Sequence, residues 1–317
     1  MPLGPEIVPS GVALSAIVTH LQFEVVTDAG VDLTERMITT ADVNRPGLQW
    51  AGYTEQFPTS AIQVIGESEV AQLRELSEDV LYSRLEQYAQ LGVPAVVLTR
   101  DQQIDERAMA LVAQYAIPIL RSPLSTPEVI SALSWYLALE LAPRAILHAG
   151  LVDVSGEGVL IRGRSGIGKS ETALELIRRG HRLIADDTVE VRRPSEHDLI
   201  GRAPGRMRYF MEVKGIGVVN LRLMYGVGSV KAAADLTMVV SLEPEDPDGA
   251  PEGAPGRTTE VLGVTLPLVT IPVRPGRNTA ILIETAAMDI RAQRLLRPRG
   301  DVSLRPDARV ELLERLD

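Results

Sequence analysis

One octet concentrates the chemistry of this chain: Gly163-Arg164-Ser165-Gly166-Ile167-Gly168-Lys169-Ser170. It fits the phosphate-loop pattern without a mismatch. The glycines let successive backbone N–H groups turn toward phosphate oxygens, and the helix that follows points its positive dipole end at them. Lys169 would reach the β- and γ-phosphates of a nucleotide, and the Ser170 hydroxyl would ligate Mg²⁺. The flanks agree: an apolar strand at Val159 to Ile161 precedes the loop, and a helical stretch from Glu171 to Arg179 follows and stops at Gly180. Lysine occurs only three times, at Lys169, Lys214 and Lys231, so one inside a glycine loop stands out.

Further residues suit the same chemistry. Arg182-Leu183-Ile184-Ala185 is an apolar strand that ends in Asp186-Asp187. A carboxylate there can take a proton from a hydroxyl or orient it in line with a γ-phosphate; the same pair also fits a turn or a cap. Glu212, in the glycine-punctuated segment 211–220, is a candidate second metal ligand or a solvated strand residue. Arg274 and Arg277 flank a Pro-Gly turn, where guanidinium forks suit an anion and would equally pair with local acids. His148 precedes the strand that leads to the loop; it is a candidate titrating group or a structural histidine.

Positioning these groups takes an α/β framework. The 317 residues favour two domains, and 45% hydrophobic with 23% charged residues is ordinary globular composition. Strands at 61–65, 95–98 and 117–120 alternate with helices opening at Ser77, Asp105 and Thr126, the pattern of a largely parallel sheet. The boundary is expected near 134, giving an N-terminal α/β domain over 1–134 and a catalytic domain over 135–317. In the second domain 151–154 and 159–161 read as a hairpin feeding the loop, and 237–240, 270–273 and 280–283 as strands. The segment 243–256, rich in Pro, Gly and acids, is expected to be an exposed, mobile loop.

Composition narrows the functions. The chain has no cysteine, which removes disulfides, thiolate-bound zinc, iron–sulfur clusters and thiol catalysis. A net charge of −10 argues against a general nucleic-acid binder. No apolar run approaches the roughly 18 residues a membrane helix needs. Residues 1–10 lack a basic stretch followed by an apolar core, so a cytoplasmic protein without membrane attachment is expected.

These motifs, in this order, resemble the bacterial HPr kinase/phosphorylase family. The resemblance runs through 38–48 with 51–53, 147–153, 163–176, 181–191, 211–220 and 271–278 with 286–288. It implies an N-terminal sensor-like α/β domain before a phosphate-loop kinase domain of phosphoenolpyruvate-carboxykinase-like architecture, in a homohexamer. It also implies phosphorylation of a serine on the phosphocarrier HPr, with ATP or pyrophosphate as donor and Mg²⁺ as cofactor. The reverse reaction it implies is phosphorolysis, in which inorganic phosphate attacks phosphoserine and releases pyrophosphate.

Carried over by resemblance, residues 163–170 bind the nucleotide and Ser170 with Glu212 holds Mg²⁺. Asp187 is the proton acceptor in one direction and the donor in the other, with Lys169 and His148 at active-site positions. Segment 211–220 serves both directions, and 272–277, with Arg274 and Arg277, mainly phosphorolysis. The family carries a Tyr-Asp-Arg-like segment with a catalytic arginine between the strand near Val240 and Ile271. Here the region 243–262 lacks the tyrosine, and Arg257 is its only arginine, so Arg257 is the nominee. A kinase for a small-molecule hydroxyl and a non-catalytic nucleotide sensor are the competing readings.

Overall fold

A computed structural model describes residues 6–50, 53, 57–205, 208–245, 257–274 and 276–296. The chain divides into two compact units, 8–142 and 143 onward with the N-terminal seven residues. The expected division at 134 lies inside a helix, and the division between the units follows that helix, at Ala142 and Pro143.

The first unit runs β1 (Val12–Ala13), α1 (Leu14–Leu21), β2 (Glu24–Thr27), β3 (Met37–Ile38), β4 (Val43–Asn44) and α2 (Gly47–Trp50). It continues through β5 (Ile62–Ile65), α3 (Glu67–Arg74), α4 (Glu78–Ala89), β6 (Val96–Leu98), α5 (Glu106–Gln114), β7 (Ile119–Arg121) and α6 (Thr126–Glu140). Its main sheet has the order β2-β7-β6-β5-β4, parallel from β4 to β7 with β2 antiparallel at one edge. Helix α6 starts on a capping box, with Ser125 and Glu128 satisfying each other's backbone and Pro127 in the first turn.

The second unit opens with β8 (Arg144–Leu147), β9 (Gly150–Val154), β10 (Glu157–Gly163), α7 (Lys169–Arg178), β11 (Arg182–Ala185), β12 (Val189–Arg192) and β13 (Ile200–Arg202). Then come β14 (Phe210–Val213), β15 (Gly217–Asn220), α8 (Leu221–Tyr225), a 3₁₀ turn (Val227–Ser229), β16 (Ala233–Pro244), β17 (Thr258–Val261), β18 (Val264–Val273) and α9 (Thr279–Leu296). The large sheet follows β11-β9-β10-β16-β13-β12-β8, and β18 adds to β16 with β17 outside it. Strands β10, β16 and β18 are mutually parallel and in step: Gly163 pairs with Leu242, and Leu242 with Ile271. Their carboxyl ends therefore share one edge, where the glycine loop and the turn after Val273 emerge.

Both faces of this sheet are covered, so its central strands are continuously apolar rather than alternating. Val159 and Ile161 point into a core shared with α7 and α9; Leu160, between them, joins the opposite core built with β8, β12 and β17. Leu176 and Ile177 on α7 contribute about 1.5–3 kcal/mol each by this burial. The segment 243–256 divides: Glu243 and Pro244 finish β16, and 246–256 lies outside the described residues.

The strand expected at 280–283 is instead the first turns of α9. Its apolar run satisfies a helical period as well: Ala280, Ile283, Ala287 and Ile290 are the buried positions. The Asn278 side chain accepts the Ile281 N–H, a cap that starts the helix. A short apolar run does not separate strand from helix, and the capping asparagine was the signal that did.

Helix α9 is clamped to the end of α7. Glu284 accepts two bonds from Arg179, at 2.8 and 2.7 Å, and lies 2.8 Å from His181 Nε2. The Arg179 guanidinium, with His181 second, holds the Glu284 carboxyl below its ordinary value. Because the folded-state pKa is depressed, this stabilisation is present above the ordinary value of 4.5 and is lost as pH falls through the folded one. Glu284→Gln is therefore expected to cost about 1–2 kcal/mol at neutral pH, discounting for the partly exposed arginine. In thermal melts that is a drop of about 2–8 °C, and the gap from the unsubstituted protein should close below pH 4.5.

Candidate active site

The phosphate loop leaves β10 and enters α7. Gly166 and Gly168 have φ of +77° and +106°, a region that side chains rarely adopt. At Gly163 a Cβ would lie 2.7 Å from the Leu242 carbonyl oxygen, so the close approach of β16 requires glycine there. Residues Arg164 to Gly166 are exposed at the crown. Lys169 is buried, and its Nζ donates to the carbonyls of Gly163 and Arg164 at 3.2 and 3.5 Å. The ammonium is thus folded back along the loop it belongs to.

Strand β11 lies two places from β10, with hairpin strand β9 between them, and it delivers both acids from its end. The Ser170 hydroxyl donates to Asp186 Oδ1 at 3.0 Å, and the Glu212 N–H approaches Asp186 Oδ2 at 3.4 Å. Burial pushes the Asp186 carboxyl up, and the neighbouring Asp187 charge adds to this against hydrogen bonds from the Ser170 hydroxyl and the Glu212 and Asp187 amides. Those partners, a hydroxyl and two amides, carry no full positive charge.

Asp187 has φ +64° and is exposed, which turns its side chain away from that of Asp186. Its Oδ1 lies 3.2 Å from His148 Nδ1. The Ala149 N–H donates to the Asp187 carbonyl at 3.1 Å, so a backbone link fixes the spacing of the β8–β9 and β11–β12 turns that carry the pair.

Sequence reasoning nominated Asp187 and left its neighbour without a role, yet Asp186 is the acid that meets Ser170. The signal was present in the doubled aspartate at a strand end, where adjacent side chains diverge. Glu212 lies on β14, exposed, with its backbone beside Asp186. Arg274 is at the shared strand edge, 3.1 Å from Glu245, and Arg277 sits at the turn before α9, beside Glu171 and Glu175 of α7 across an open cleft.

Arg257 is not brought to the loop. Its carbonyl accepts from Leu268, at the start of β17, and it is exposed. Strand β17 is three strands from β10, about 14 Å at ordinary strand spacing. Residue 268 is also several register steps short of the edge at Val273.

The Ser170 hydroxyl and the Asp186 carboxylate offer hard oxygens that fit a small divalent cation such as Mg²⁺, which is held by one or two carboxylates and completed by phosphates and water; Glu212 is brought beside them by its backbone. Among the described residues no group of three or more histidine, cysteine, aspartate or glutamate side chains is placed to hold a metal ion. Nor is any described helix long and apolar enough to cross a membrane.

A phosphate loop with its lysine folded in, a serine–aspartate pair at the first turn of the helix and an exposed acid beside a histidine define a phosphate-loop phosphotransferase. Two family profiles match the chain, "HPr Serine kinase N terminus" over residues 12–137 and "HPr Serine kinase C-terminal domain" over 139–298. The HPr kinase/phosphorylase of Thermoanaerobacter sp. (strain X514) is 41% identical over 286 residues, 90% of this chain and 93% of that protein. That of Geobacillus kaustophilus (strain HTA426) is 39% identical over 281 residues, 88% of this chain and 90% of the relative. A solved Hpr(Ser) kinase/phosphatase from Coxiella burnetii shares 32% identity, with a TM-score of 0.44 over 47% of this chain and 92% of that one. The chain belongs to the HPr serine kinase family and is an enzyme of nucleotide-dependent phosphoryl transfer.

Proposed function

We propose that this chain transfers a phosphoryl group from ATP, or from pyrophosphate, to a serine hydroxyl of the phosphocarrier HPr, and reverses the transfer by phosphorolysis. The observation that carries this reading is the adjacency of Asp186 and Asp187: one acid is bonded to the phosphate-loop serine, the next is exposed and lies 3.2 Å from His148. The name shared by the relatives supplies the acceptor and the two directions.

In the forward direction the loop amides and Lys169 hold the donor phosphates. Asp187 accepts the serine proton as Oγ forms its bond to the terminal phosphorus and the bond to the leaving phosphate oxygen breaks. Charge gathers on the leaving oxygens, against Lys169 and the amides that open α7. In reverse, an oxygen of inorganic phosphate attacks the phosphoserine phosphorus, Asp187 returns the proton to the departing serine oxygen, and pyrophosphate is left in the loop. Ser170, Asp186 and Glu212 would hold Mg²⁺, which neutralises phosphate charge when bound. Arg274 and Arg277 serve the incoming phosphate in this reading. A homohexamer in the cytoplasm completes the proposal.

The test is mass spectrometry of HPr incubated with the protein, Mg²⁺ and ATP, then with excess phosphate. The expected result is one phosphoryl group gained on a serine, then lost as pyrophosphate appears. No transfer to HPr would overturn the reading. Gain without loss would confine it to the forward direction and point to the altered 243–262 region.

A further inference from the structure

Strand β10 ends on an arginine that the reaction as derived does not use. Arg162 is half-buried and immediately precedes the loop's first glycine. Side chains alternate along a strand, so Arg162 shares the face of Leu160, on the side of β8, β12 and β17. Register fixes its neighbours. On one side it pairs with Ser241 of β16, whose hydroxyl donates to Glu243 at 3.1 Å. On the other, the antiparallel ladder with β9 runs as far as Ile161 and Gly150. The next step sets Arg162 opposite Ala149, where Cβ atoms stand about 5 Å apart. Ala149 follows His148, and its N–H donates to the Asp187 carbonyl. The arginine therefore leaves the sheet between the phosphate loop and the acid–histidine pair.

We propose that Arg162 is a further catalytic residue, whose guanidinium grips the phosphoryl group as it passes between the leaving phosphate oxygen and the serine oxygen. The inference rests on the proposed reaction and adds to it the group that neutralises the transferred phosphoryl itself.

Three observations select this role. Among the described residues Arg162 has no hydrogen-bond or ion-pair partner, in a chain with 42 acidic side chains. A guanidinium held at a sheet edge away from acids keeps its fork for an anion, and that fork matches two phosphoryl oxygens. The other cations around the loop are engaged or placed elsewhere. Lys169 folds back on the carbonyls of Gly163 and Arg164, Arg164 is exposed at the crown, and Arg274 is 3.1 Å from Glu245. Finally, charge in the transition state spreads over the equatorial oxygens, midway between donor and acceptor. Strand β10 ends between the groups assigned to those two, the loop with Lys169 and the turn with Asp187. The transferred phosphoryl is common to both directions, so Arg162 acts equally on both, unlike an arginine that receives inorganic phosphate.

The experiment compares Arg162→Met, which keeps the stem, and Arg162→Lys, which keeps the charge without the fork, with the unsubstituted protein. Transfer to HPr and phosphorolysis of phosphoserine-HPr are both measured at saturating substrates. Arg162→Met should lower kcat by the same factor in each direction, about 10²–10³-fold, the cost of one preorganised donor. ATP affinity by calorimetry and the melting temperature should not move, and Arg162→Lys should recover only part of the rate. A kcat within about threefold of the unsubstituted enzyme in either direction overturns the proposal. Loss of phosphorolysis alone is one such result, and it would make Arg162 a binder of inorganic phosphate. A lowered melting temperature in Arg162→Met, restored with full activity by Arg162→Lys, also overturns it and assigns the arginine to the fold. If the unsubstituted protein does not modify HPr, both this inference and the proposed function fall.

Discussion

Asp187→Asn is expected to slow both transfer to serine and its phosphorolytic reversal by about 10³-fold, within the range of a positioned general base. Nucleotide affinity should stay unchanged, because the loop and Lys169 are elsewhere. The substitution is a clean one. Asp187 has φ +64°, a conformation that Asn tolerates nearly as well as Asp, so the backbone is not strained. The bond that fixes the turn runs from the Ala149 N–H to the residue's own carbonyl and survives any side-chain change. The amide keeps the size and the contact with His148 but does not accept a proton. Single-turnover transfer with labelled ATP measures the forward rate, and pyrophosphate release measures the reverse. Forward transfer within about tenfold of the unsubstituted enzyme would remove Asp187 from the role of proton acceptor.

Lys169→Met carries the second large effect. The lysine stem is buried, and methionine fills nearly the same volume, so the packing of α7 is retained. The loss is an ammonium held 3.2 Å from the Gly163 carbonyl, which in the proposed reaction meets the charge developing on the leaving phosphate. Removing one such preorganised donor costs about 10²–10³-fold in kcat. Calorimetry should show weakened nucleotide binding with an unchanged melting temperature. A variant that binds ATP as before would place the ammonium outside the phosphate site.

The contrast between the two variants also shows which parts were legible in the sequence. The phosphate loop was, because its chemistry resides in residue types at fixed spacing, and the apolar strand and following helix could be read on either side. The hairpin before it was legible for the same reason. Helix α9 was not: Ala280 to Ile283 satisfies a strand and a buried helix equally, and only Asn278 and the later positions Ala287 and Ile290 decide. The role of Asp186 was hidden because two adjacent acids look alike in a sequence, and their separation depends on the left-handed turn at Asp187. The distance of Arg257 from the loop depends on strand order, since β18 and β16 intervene between it and β10. The resemblance supplied the acceptor; composition and periodicity alone left a small-molecule kinase and a nucleotide sensor open.

Strand β16 has a consequence for how the protein is made. It begins at Ala233, well after β10 ends at Gly163, yet it lies directly against β10 and supplies the Leu242 carbonyl that the loop's first glycine must accommodate. Its pairing with β10 is parallel and distant along the chain, so loop-closure entropy must be met before the contacts form. A growing chain on the ribosome therefore displays residues 163–170 long before it owns the wall behind them. Nucleotide has no finished cradle until β16 has emerged and docked, and a chain arrested before Ala233 would be silent in any ATP-binding assay. The wall behind the loop is complete only once β16 has paired with β10.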